Sequence, residues 1–119
     1  MKLLLVVFLS LISCSVAFSQ ASFPADYPAD LPRPKITQAY PSSKLDNGLI
    51  FQFESELSVA DVLKFFQDEM PKLGYKISNG PTTTGDVSAN AGWNKGSREV
   101  TVMIVNSGTR KTSISILYQ

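Results

Sequence analysis

The chain has 119 residues, no histidine and a single cysteine, Cys14. Lacking histidine, it lacks the commonest general base, the usual partner of serine and cysteine nucleophiles, and the commonest transition-metal ligand. With no cysteine after Cys14, neither a disulfide nor a thiolate metal site can brace the fold. Charge is sparse and even: eleven Lys and Arg oppose ten Asp and Glu, and losing Lys2 with a cleaved leader brings them into balance. No basic cluster interrupts that neutrality, which excludes the electrostatic footprint of a nucleic-acid binder. Gly80, Gly85, Gly92 and Gly96 match no phosphate-cradling loop, so no cofactor is expected. Long apolar runs are also missing. The longest, Leu3–Ile12, spans only about 15 Å as a helix, half the hydrocarbon thickness of a bilayer.

That short run, preceded by Lys2, is a leader peptide and not a membrane span. It ends in Leu11-Ile12-Ser13-Cys14, which resembles the lipobox of bacterial lipoprotein signals, with Leu at −3 and a small residue before Cys. On that reading the leader is 1–13, Cys14 is acylated and becomes the first mature residue, and Ser15, in place of a retention Asp, implies sorting to the outer membrane. Ordinary cleavage after Ala17-Phe18-Ser19, with a leader of 1–19, is the alternative and gives a soluble periplasmic or secreted protein. In a third reading Cys14 is one more apolar residue of the leader. The two leading readings agree on export.

Residues 14–34 form a Pro-rich tether in which Phe23-Pro-Ala-Asp, Tyr27-Pro-Ala-Asp and Leu31-Pro repeat a four-residue unit. Proline removes donors and favours extended geometry, so a semi-rigid polyproline spacer is one expectation. The other is a strap in which Phe23, Tyr27 and Leu31 pack back on the domain.

Residues 35–119 carry one domain. Lys35–Tyr40 and Leu49–Glu54 read as a first pair of strands around a turn at Pro41–Gly48, its Asn47-Gly48 suited to positive φ. Val59, Val62, Leu63, Phe66, Met70 and Leu73 recur at helical spacing behind Ser58 as N-cap, with Asp61 three residues on. Pro71 should distort the last turn and Gly74 should end it. Tyr75–Ser78, Ala89–Lys95, Arg98–Val105 and Lys111–Tyr118 read as four further strands. Asn79–Ser88 is expected to be a loop, and Gly96-Ser97 and Asn106–Thr109 to be turns. The fold class is α+β: one amphipathic helix on a four- to six-stranded antiparallel sheet, in the order ββαββββ.

Three stretches, Ser58-Val-Ala-Asp-Val-Leu-Lys-Phe-Phe-Gln-Asp-Glu-Met, Leu73-Gly-Tyr-Lys and Trp93-Asn-Lys-Gly-Ser-Arg-Glu-Val-Thr-Val, resemble small exported bacterial lipoprotein domains of unknown function. Phe66 and Tyr75 stand where that pattern has Tyr and Trp, keeping an aromatic, and Met70-Pro71 departs from its helical leucine. The resemblance implies the fold and no activity.

Candidate functional residues are few. Glu54 and Glu56, at a strand end, and Asp68 and Glu69, diverging on a helix, do not form converging carboxylate pairs. Ser58 is better explained as a cap than as a nucleophile, so an enzyme is not expected. Trp93 is either a binding anchor or a core residue packed on the helix. The face turned from the helix is the better candidate: Ile50, Met103, Val105 and Leu117 gather there where a solvated sheet carries polar residues. That patch is to be covered by the Phe23/Tyr27/Leu31 arm, a second copy or another envelope protein. The leading expectation is a non-enzymatic envelope protein serving as an interaction or assembly module. The alternative is a small-ligand-binding periplasmic domain with a cleft beside Asn79–Ser88.

Overall fold

A computed structural model describes residues 21–119, so the anticipated leader, Cys14 and the alternative cleavage site lie outside the described residues. The helix forms where its period and its caps agree. Ser58 Oγ accepts the Asp61 amide at 3.1 Å, and α1 follows over Val59–Glu69. Pro71 has no amide to continue the ladder, so the chain tightens into a 3₁₀ turn over Pro71–Leu73, and Gly74 closes it at φ 94°. Val59, Val62, Leu63, Phe66 and Met70 are buried as the spacing requires, but Leu73 is 36 % exposed. The tighter turn rotates it off the stripe.

The strands are β1 (Gln38–Ala39), β2 (Ser43–Leu45), β3 (Gly48–Ser55), β4 (Lys76–Thr84), β5 (Ser88–Lys95), β6 (Arg98–Gly108) and β7 (Lys111–Tyr118). They form one 7-stranded antiparallel sheet in the order β1-β3-β7-β6-β5-β4, with β2 also on β3. The α+β class stands, but the sheet exceeds the expected four to six strands. The anticipated first strand is reduced to β1, and the anticipated turn contains β2. Pro41 between them has no amide to donate, so the edge breaks there; taken as one interrupted edge, the two restore the order ββαββββ.

Two further expectations are corrected. The stretch 79–88 is mostly strand and not a loop: β4 runs to Thr84, with register shifts between Ile77 and Asn79 and between Asn79 and Thr82, and only Gly85–Val87 turn into β5. An edge strand needs partners on one side only, so it tolerates Pro81 and the irregularities, and β-branched Thr82–Thr84 carry it onward. Similarly, β6 extends to Gly108, which leaves only Thr109 and Arg110 for the turn.

The core lies on one face of this sheet. The inner side chains Val100, Val102, Ile104, Ile114 and Ile116 are at most 1 % exposed. The helix covers the β5–β6 half, where Trp93 is buried and its ring lies 6.3 Å from that of Phe66; Trp93 is a core residue. The N-terminal arm covers the β3 half. Tyr27 packs edge-on at 5.2 Å from Phe51, and Phe23 lies 5.0 Å from Phe53. Residues 23–31 are therefore a packed strap and not a polyproline spacer. The Tyr27 amide donates to the Pro24 carbonyl at 3.0 Å, and the Leu31 amide to that of Pro28 at 3.3 Å. The four-residue repeat is thus two successive turns, which bring Phe23, Tyr27 and Leu31 round to the same side.

Candidate functional site

With helix and arm both on the inner face, the opposite face of the sheet is uncovered among the described residues. Register defines what it presents. One row across the strands is Ile50, Leu117, Thr101 and Gly92. The next is Gln52, Ser115, Met103 and Asn90. A third begins at Glu54 and continues through Ser113 and Val105 to Ser88. All four residues anticipated for this face are on it. Met103 and Val105 stand out at 47 % and 45 % exposure, whereas Ile50 and Leu117 are half-buried cross-strand neighbours. The arm does not cover them, because it lies on the other side.

Two residues belong to the same face that the sequence reading missed. Leu45 pairs with Gly48, two positions from Ile50, and is 42 % exposed. The Tyr40 amide donates to the Gln52 carbonyl, and the Tyr40 hydroxyl donates to Glu54 Oε2 at 2.9 Å, which sets its ring beside the outer row. That bond raises the Tyr40 pKa. Charge is confined to the ends of the face: Glu54 pairs with Lys111 at 3.6 Å at one end, and Lys76 and Glu99 lie at the other, both across from Asn94. The central rows hold amides, hydroxyls and hydrocarbon, a chemistry suited to contact and not to proton transfer.

The polar cluster richest in titratable groups lies at the β5–β6 turn. Asp30, from the arm, accepts the Tyr75 hydroxyl at 3.0 Å and the Tyr118 hydroxyl at 3.1 Å, and Lys95 Nζ lies 3.4 Å from its carboxylate. Burial pushes the Asp30 carboxyl up, but the bonds from Tyr75, Tyr118 and Lys95 outweigh it and hold its pKa below the ordinary value. Burial first, then the bond to Asp30, raises both Tyr75 and Tyr118. Both phenols are therefore protonated donors at neutral pH and Asp30 is an anion, so the cluster is a clamp for the arm without a group poised to exchange protons. Lys95 lies 5.0 Å over the Tyr75 ring and Arg98 4.0 Å over that of Tyr118. Elsewhere Asp68 pairs with Lys64 at 2.7 Å and Glu69 with Lys72 at 3.0 Å, on the outside of the helix.

One helix across an antiparallel sheet, with its core on a single face, defines a small α+β domain. The chain belongs to a START domain-like family, matched over residues 35–112. That match leaves the Asp30-bearing arm outside it. No curated protein and no solved structure matches the chain.

Proposed function

We propose that this chain is a non-enzymatic interaction module of the bacterial cell envelope, exported by its leader and held at the outer membrane by an acylated Cys14. It docks a protein partner through the outer sheet face. The observation that carries this reading is the distribution of exposed hydrocarbon. Of the large apolar side chains that reach solvent, Tyr40, Leu45, Met103 and Val105 share this one face, and its central rows are uncharged. The export and anchoring part rests on the leader pattern alone. The small-ligand alternative has less support, since Asn79–Thr84 is strand with only Gly85–Val87 as a turn, and the space beneath the helix is filled by Phe66, Met70 and Trp93.

Envelope cross-linking beside thermal unfolding tests the reading. Met103→Lys with Val105→Glu should weaken capture of the partner while the domain still melts cooperatively. A double mutant that folds and cross-links as before moves the contact surface elsewhere.

A further inference from the structure

The outer face has a property that a surface for an unlike partner does not require. Charged groups select and steer unlike partners, and interfaces between different proteins use them to reject wrong ones. A contact between identical copies obeys the opposite condition. Around a two-fold axis residues near the centre lie close to their own mates, so a charge there is repelled by its copy. The two central rows, through Ile50 and through Met103, meet that condition, for their members are hydrocarbon, hydroxyl, amide or glycine. The charges sit at the two ends, opposite in sign at each.

Shape and size agree with charge. Met103 and Val105 project beside Ser113, Ser115, Ser88 and Asn90, so two knobs lie next to small side chains on the same surface, and the unbranched methionine adapts to an irregular hollow. With β1 and β2 counted as one edge, the strands at about 4.8 Å spacing span about 29 Å, and eight-residue strands at about 3.3 Å per residue run about 26 Å. That gives about 750 Å² per copy and about 1,500 Å² for a pair, within the range of stable interfaces.

We infer that two copies of this chain pack sheet against sheet through the outer face, with Met103 and Val105 of each seated among the small side chains of the other. This rests on the reading of that face as the docking surface and names its occupant.

Native mass spectrometry of the full chain, purified from the envelope in detergent, tests the pairing. The wild type should show the mass of two copies. Met103→Lys alone and Met103→Glu alone should each show one copy, because the Ser115 and Asn90 that receive Met103 flank its mate, so a like charge there lies about one strand spacing, about 5 Å, from its counterpart. Mixing the two variants should restore a pair containing one of each. A wild type of single mass overturns the inference whatever the variants do, as does a Met103→Lys chain that stays paired. In either case the partner-docking reading is left to its own envelope cross-linking.

Discussion

Tyr75 donates a hydrogen bond to Asp30 Oδ2 at 3.0 Å across 45 positions of sequence. Through it, a segment outside the family's matched region is bolted to the point where the helix hands over to β4. Asp30→Asn keeps an acceptor but loses the charge that Lys95 and two phenols address, and should cost about 1–2 kcal/mol in denaturant melts. The cost depends on pH. Folded Asp30 ionises below the ordinary value, so its contribution is complete above the unfolded pKa of about 3.9 and fades as pH falls through the folded one. Wild type and Asp30→Asn should differ at neutral pH and converge in acid.

The arm should also prove to be part of the core. Tyr27 is 5 % exposed, and its hydroxyl donates to the Pro32 carbonyl at 2.6 Å. Tyr27→Ala should destabilise the domain by about 3–5 kcal/mol through the cavity it leaves against Phe51 and Phe53. Tyr27→Phe should cost only about 1 kcal/mol, the worth of one neutral hydrogen bond. Equal melts for Tyr27→Ala and wild type would mean the arm is not seated.

Phe66, fully buried mid-helix, should cost about 3–5 kcal/mol when cut to alanine. Asp68→Asn, which removes the solvent-exposed partner of Lys64, should leave the unfolding midpoint where it was.

Gly48 and Gly96 should fail for different reasons. A Cβ on Gly48 would overlap the Tyr118 carbonyl oxygen, whereas one on Gly96 meets open space but at φ +63°. Gly48→Ala should cost about 1–3 kcal/mol by forcing β3 from β7. Gly96→Ala should cost about 1 kcal/mol from its backbone conformation. Asn47-Gly48 thus needs glycine for close approach, not for the positive φ that the dipeptide suggests.

If Cys14 carries the anchor, Cys14→Ala should move the protein from the membrane to the soluble periplasmic fraction. Two or more acyl chains hold a protein stably at a membrane. Unchanged fractionation, or a wild-type N-terminus at Gln20, counts against acylation.

The elements legible in the sequence are those with local causes. Ser58, the apolar stripe from Val59 to Met70, Pro71 and Gly74 each act within a turn of their own position, and the helix they predict forms, Leu73 alone leaving the stripe. So did β7, whose alternation is long enough to register. β1 and β2 are too short to show a period, and Gly80-Pro81 signals a break that an edge strand can absorb. The arm's repeat was visible, but turn and spacer share its composition; only the ring contacts with Phe51 and Phe53 separate them. The outer face was half legible. Met103 and Val105 follow from alternation on β6, whereas Tyr40 and Leu45 reach the face only through their pairing with β3. The Asp30 clamp, assembled from residues 45 and 88 positions away, left no local trace.

The two proline turns that seat Phe23 and Tyr27 would also shorten any leash running to a lipid on Cys14. Were residues 14–34 free, an anchored domain could range far from its lipid. If Cys14 is acylated, a chain fastened from Phe23 onward leaves nine residues of reach, at most about 30 Å, comparable to the thickness of one bilayer core. A domain so held meets what lies at the membrane surface and in the space just beyond it, and little else. Its choice of neighbours would then be set by altitude as much as by affinity.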